Sequence, residues 1–441
     1  MGTRNDDISL ILAKAKKQGF LPDVKDSEVD ILSKEAANIF GTDLTISKGA
    51  APRANTFIII GSSLTEQNGE GSNTLDASGG IAVRARGMFH WAKGFLGGAI
   101  TLVRNAGIGG NRYDQMVARF DTDVLAYESD WVIIGNPTNS VTAGYTAAQI
   151  IADLNTMLDK CEAVGRRVVV ENIPPRSTFT TLSIQTVVST VNAYITDLAF
   201  TRRGVIPLDI WTPLADPATG FPVANTTVDG THYSIAGAAR LGKALADAIR
   251  NHIVPRPSRT SSSVDPLSVI ANPQFLTNGS GWSLLSGTTG VVYEAASEGY
   301  GNKAKVTVSA NASYTAIRGI STTELIATGK FAPGDIVQAS IKVKWSNLVP
   351  LAAGTNTDNS PRFMLRHLTD STITYTAESL YSATSEWINN TSPMPTSGEM
   401  ILTTWRSTIG PTINRLDVIL GWRGAASVDL EFERLAIIKG Q

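Results

Sequence analysis

The sequence predicts an α/β domain built on a parallel sheet, followed by an antiparallel β-sandwich, and three observations carry that expectation. Between about residues 55 and 253, short apolar runs alternate with helix-period segments, the pattern of a parallel sheet covered on both faces. "VPRPSRTSSSVDP" at 254–266 is rich in Pro and Ser and lacks periodicity, so it reads as a linker. Beyond it the hydrophobic period changes to two, as expected of strands with one buried and one wet face.

Residues 1–50 hold two short amphipathic patterns. In the second, Asp26 or Ser27 can cap a helix whose Val29, Leu32, Ala36, Ile39 and Phe40 share a face, with Gly41 ending it. Too little apolar material is present for an independent core, so this helical arm is expected to pack on the next domain or on a partner. Residues 51–253 carry the strand candidates "FIII" at 57, "AITLV" at 99, "WVII" at 131, "RVVVE" at 167 and "VIPL" at 205. The clearest helix spans 146–164 and is ended by Gly165. In 267–441, Val337, Ala339, Ile341, Val343 and Trp345 alternate with polar residues, and Ala304, Val306, Val308 and Val428, Leu430, Phe432 repeat the pattern. A β-sandwich of jelly-roll type follows.

At 441 residues the chain has room for two or three domains. A formal net charge of −1 and the lack of any dense Lys/Arg block argue against nucleic acid or an anionic membrane as partner. The amino terminus lacks the uninterrupted apolar stretch of a secretory signal, and no segment is long and apolar enough to span a bilayer. Cys161, the sole cysteine, excludes an intramolecular disulfide framework. It falls on the periodic face of Ile150, Ile151, Leu154, Met157, Leu158 and Val164, where a buried inert thiol is expected. His90, His232, His252 and His367 show no zinc-type spacing, so neither a metal nor another cofactor is expected.

Ligands of open parallel sheets sit beyond the carboxyl ends of the strands, and four segments fall there. "GSSLTE" at 61–66 presents Ser62 and Ser63; "NAGIGGN" at 105–111 offers backbone N–H groups beside glycines; "NPTNS" at 136–140 offers side-chain amides; "DGTHYSIAG" at 229–237 places Asp229 and His232 just before a helix. Singly, each reads equally well as turn or cap chemistry. In this order they supply a nucleophile, oxyanion donors, an acid and a base.

The ordered set resembles the SGNH, or GDSL-like, hydrolases over roughly residues 55–253. "IIIGSSLTE" is similar to the first block "GDSLT", "NAGIGG" to the second and "DGTHYSIAG" to the last. Counting from Asp130 and Trp131, "PTNS" falls in register with the third block. The chain departs from the pattern at Ser62, which stands for an Asp, and at Pro137 and Ser140, which stand for a Gly and an Asp. The resemblance implies a flavodoxin-like three-layer α/β/α fold and a catalytic Ser63, His232 and Asp229. It implies an oxyanion hole made by Ser63, Gly107 and Asn139, with Asn136 the rival of Asn139.

"NPQFLTNGSGWS" at the start of the C-terminal part looks like the opening of carbohydrate-binding sandwiches, although Trp282, Trp345, Trp405 and Trp422 serve equally well as core aromatics. An esterase joined to such a module implies removal of acyl groups, most simply O-acetyl, from a polysaccharide. The combination resembles phage tail-spike and tail-fibre esterases, which implies a virion-tail location, attachment through the N-terminal arm and a homotrimer. Two alternatives stand beside this reading: a lipase or thioesterase acting on small esters, and a non-catalytic glycan-binding adhesin with a decayed hydrolase domain.

Overall fold

A computed structural model of the chain describes residues 55–69, 80–255, 272–279, 281–284, 288–296, 301–309, 320–325, 331–351, 360–381 and 394–439. The expected arm at 1–50 lies outside these residues, as does the expected linker beyond Pro255.

Strands β1 (Thr56–Gly61), β3 (Thr101–Gly107), β4 (Trp131–Ile134), β5 (Arg167–Glu171) and β6 (Val205–Leu208) form a parallel five-stranded sheet in the order β3-β1-β4-β5-β6. The period-2 alternation of β1 sends Phe57 and Ile59 into one hydrophobic cluster and Ile58 and Ile60 into another. β4 repeats this with Trp131 and Ile133 against Val132 and Ile134. Both faces are therefore covered, which explains why these strands read as continuous apolar runs. Helices α1 (Ser63–Glu66), α2 (Met88–Phe95), α3 (Tyr113–Phe120), α4 (Thr138–Thr142), α5 (Ala147–Ala163), α6 (Leu182–Thr201) and α7 (Ile235–Ile249) fill the connections.

One face is covered by α2 and α7, the other by α3, α5 and α6. The first pair packs closely: a Cβ at Gly242 would lie 2.3 Å from the Trp91 Cβ. The helix expected at 146–164 starts on a reciprocal Thr146–Gln149 cap and ends at Gly165, whose φ is +70°. Cys161 on this helix is fully buried and burial pushes its thiol up to about 12, the inert state expected of it.

The remaining strands make two largely antiparallel sheets. One has the order β2 (Gly80–Arg84), β13 (Thr372–Tyr381), β12 (Ser360–Thr369), β16 (Arg415–Arg423), β10 (Ile320–Leu325), β7 (Trp282–Leu284). The other runs β14 (Gly398–Thr403), β11 (Ile336–Pro350), β17 (Ala425–Lys439), β9 (Asn302–Ser309), β8 (Thr288–Ala295), and β15 (Ser407–Thr408) pairs with β11. Trp345 and Trp422 are buried with ring centroids 5.5 Å apart, so these two tryptophans fill a core and offer no exposed binding face.

β2 was not anticipated from the sequence. It leaves the segment between β1 and α2 and pairs in parallel with β13 of the C-terminal part. A Cβ at Gly94 of α2 would lie 2.4 Å from Met400 Cε on β14, and one hydrophobic cluster includes Trp91, Met400 and Leu402. The two expected parts thus share a strand ladder and a core.

Candidate active site

Ser63 opens α1 directly beyond the carboxyl end of β1, and its Oγ lies 2.9 Å from His232 Nε2. His232 Nδ1 lies 2.7 Å from Asp229 Oδ2. An ionised carboxylate only accepts, so Nδ1 carries the proton, and Nε2 is left to accept from the Ser63 hydroxyl. Residues 169 positions apart in the chain are joined in one hydrogen-bonded line.

The loop around the acid is built by local geometry. Asp229 Oδ1 accepts from the N–H groups of Thr231 and His232 at 3.0 and 2.7 Å. Gly230 sits at φ +80°, and a Cβ there would lie 2.0 Å from Ser177 Oγ, so the second residue of "DGTH" must be glycine. Ser234 Oγ caps α7 by accepting from the Gly237 N–H at 3.0 Å. A Cβ at Gly237 would lie 2.1 Å from Thr226 O, which accounts for the glycine of "SIAG". Burial acts to raise the Asp229 carboxyl, and the bonds from His232 and Thr231 outweigh it, holding it below the usual carboxylate range. It is thereby kept negative beside the imidazole.

Ser62 and Ser63 are separated by the turn. Ser62 is 2% exposed and its carbonyl accepts from the Glu66 N–H at 2.9 Å, whereas the Ser63 side chain meets His232. The two asparagines are separated as clearly. Asn136 is buried and commits both its N–H and its side-chain amide to Glu171 Oε2, at 3.2 and 2.9 Å. Asn139 on α4 donates one amide hydrogen to Asn111 O at 3.1 Å, and its second amide hydrogen makes no hydrogen bond among the described residues. That bond joins α4 to the "NAGIGGN" loop.

Gly107 requires a correction. Its N–H, expected to face an oxyanion, donates instead to Asn105 Oδ1 at 3.0 Å. A Cβ at this position would lie 2.3 Å from the Glu66 N, so the glycine is demanded by the passage of α1 rather than by a ligand. Asn105 also donates to Thr65 O at 3.2 Å, tying the loop to α1. Further along the same loop Gly110 has φ +78°, and its N–H makes no hydrogen bond among the described residues. It adjoins Asn111, the partner of Asn139.

Glu171 and Arg176 were not singled out from the sequence. Glu171 ends β5, is 3% exposed, and burial pushes its carboxyl up to about 7 against the bonds from Asn136. The only sequence signal is a carboxylate closing the apolar run "RVVVE". Its folded value lies above its ordinary 4.5, so the folded protein holds this proton more tightly than the unfolded chain. The stability it contributes is full below about pH 4.5 and is lost as pH rises through about 7. Glu171→Gln removes the titration, so its unfolding free energy relative to wild type is expected to climb by at most about 3 kcal/mol from roughly pH 4.5 to pH 8. Urea denaturation at a series of pH values measures this, and a difference independent of pH would contradict it.

Among the described residues, no group of His, Cys, Asp and Glu is arranged to hold a metal ion, and no helix is long and apolar enough to cross a membrane. A cleft of about 890 Å³ lies between α6 and the segment after β6, lined by Phe179, Val188, Ile195, Phe200, Trp211 and Phe221 among others.

Residues 57–245 match the family model described as GDSL-like Lipase/Acylhydrolase. No curated protein matches the chain. Among solved structures, a catalytic mutant of an acetylxylan esterase from Geobacillus stearothermophilus is 19% identical, with 47% of this chain and 99% of that chain covered and a TM-score of 0.37. A GDSL-like lipase from Bacteroides thetaiotaomicron is 16% identical, covering 49% and 95% with a TM-score of 0.33. An alpha/beta hydrolase enzyme from the metagenome of Lake Arreo, Spain, is 18% identical, covering 45% and 96% with a TM-score of 0.36.

Proposed function

We propose that the GDSL-like segment makes this chain a serine esterase that removes acyl groups, most simply acetyl, from a polysaccharide. The observation that carries the reading is the continuous line from Ser63 Oγ through His232 to Asp229 at the carboxyl end of the parallel sheet. His232 Nε2 takes the proton of Ser63 as Oγ attacks the ester carbonyl, then returns it to the departing alcohol oxygen. Asp229 holds the imidazole tautomer and balances its positive form. Water then attacks the acyl-serine by the same base, releasing the acid and restoring Ser63.

The oxyanion is met by the Ser63 N–H, which as the first of α1 has no intrahelical partner, and by the second amide hydrogen of Asn139. Gly110 takes the place first given to Gly107, because its N–H is unengaged among the described residues. Each such donor is worth about 2.7–4 kcal/mol of transition-state stabilisation.

The polysaccharide part of the proposal is supported by the β-sandwich joined to the hydrolase segment. By the resemblance to tail-spike esterases, the reading extends to a virion-tail protein acting on bacterial surface glycan as a homotrimer. The test is release of acetate from acetylated bacterial surface polysaccharides by the full chain. Glycan binding without acetate release would favour the adhesin reading.

A second reading, hydrolysis of small or lipid esters, is favoured by the aromatic cleft beside α6. Phe179 lines it, and the Arg176 guanidinium over that ring bonds to Thr231, next to His232. Turnover of p-nitrophenyl esters separates the readings: a deacetylase falls off steeply beyond the acetyl ester, whereas a lipase holds or gains activity with chain length.

A further inference from the structure

Arg176 lies on the segment after β5 and reaches two others. Its Nε donates to Thr231 Oγ1 at 3.1 Å, and its Nη1 donates to Thr138 Oγ1 at 3.3 Å and to Thr142 Oγ1 at 3.0 Å. One guanidinium thus spans from the helix that carries Asn139 to the loop that carries Asp229 and His232. Its Cζ also lies over the Phe179 ring, 5.4 Å from the centroid.

All three hydrogen-bond partners are neutral hydroxyls. Among the described residues no carboxylate lies within ion-pair distance of Arg176, and its Nη2 makes no hydrogen bond. Asp229 acts on it through space only, since the Asp229 oxygens are already taken by Thr231 and His232. The guanidinium is half-buried, and burial pulls it below its ordinary value. A partly desolvated cation without an anion in contact is unfavourable unless a ligand brings one. Arginine held in a fixed plane with an N–H to spare matches a carboxylate, which accepts in the same planar geometry.

Resting on the esterase reading, we infer that Arg176 is a specificity-determining residue that binds a carboxylate on the alcohol portion of the substrate, so that the preferred esters are those of acidic sugars. The alcohol side is assigned because Thr231, the anchor of Arg176, adjoins His232, which returns the proton to the leaving alcohol.

Acetylated galacturonic acid and acetylated galactose share a ring and an ester and differ by one carboxylate, so acetate release from the pair is the direct test. Wild-type kcat/KM should favour the acid by roughly tenfold, mainly through KM. Arg176→Gln should lower kcat/KM on the acid about tenfold more than on the neutral sugar, cancelling the preference, and Arg176→Lys should restore part of it. A wild-type ratio near one, or an Arg176→Gln loss equal for both sugars, would overturn the inference and leave Arg176 as a strut between loops. Should Arg176→Gln fail to fold, Arg176→Lys decides, because an unchanged ratio would exclude the fork as the source of preference.

Failure of the esterase reading would look different: wild type would release acetate from neither sugar. Calorimetric titration of oligogalacturonate and of galacto-oligosaccharide into the Ser63→Ala chain then tests Arg176 by itself. Tighter binding of the acidic oligomer that disappears in Ser63→Ala/Arg176→Gln supports the site, and equal or absent binding overturns it.

Discussion

Ser63→Ala is expected to abolish ester hydrolysis, with kcat falling by about 10⁴–10⁶ and covalent labelling by a serine-directed phosphonate lost. The expectation rests on geometry. Ser63 Oγ is 2.9 Å from His232 Nε2, whereas Ser62 is buried in the turn with its carbonyl holding Glu66. The Ser63 side chain is only half-buried and caps nothing, so its loss leaves the fold unchanged and melting should coincide with wild type. Ser62→Ala should keep measurable turnover, its effect arising from the loss of one polar atom inside the turn. Labelling of Ser62, or wild-type turnover in Ser63→Ala, would sink the assignment at its first residue. Absence of labelling at both would favour a binding-only protein.

Asn139→Ala should lower kcat by about 10²–10³ with little change in melting, because the amide meets charge that develops only in the transition state. Asn136→Ala should show the opposite balance. Its N–H and amide both reach buried Glu171, and removing the amide leaves a buried carboxyl short of a partner, a cost of about 1–3 kcal/mol in stability. Turnover and urea denaturation on both variants separate the roles. If Asn136→Ala were the variant with the larger loss of kcat, the donor would have been misassigned.

The same comparison shows why local pattern left the choice open. Both asparagines follow one strand within "NPTNS", and only the carboxylate arriving from β5 draws Asn136 inward. Gly107 failed for a related reason. A glycine in a loop after a strand reads as room for a ligand, but the backbone it makes room for is α1.

What the sequence determined by itself was whatever short-range physics decides. Continuous apolar runs gave the parallel strands because both faces of β1 and β4 are covered. Alternation predicted the strands of the C-terminal sheets, Thr146 and Gly165 marked a helix, and the Asp229–His232 spacing is closed by bonds within one turn. Tertiary structure alone decided the rest. β2 finds its partner β13 far downstream, Gly80 pairing with Thr376, and no local period encodes such a pairing. Glu171 and Arg176 owe their properties to what the fold sets around them: a buried carboxyl takes its raised affinity for a proton from its desolvation, which outweighs its two bonds from Asn136, and a guanidinium remains without an anion because one helix and one loop meet it with hydroxyls. Charge energetics depend on distance and solvent exclusion, and both exist only once the chain has folded.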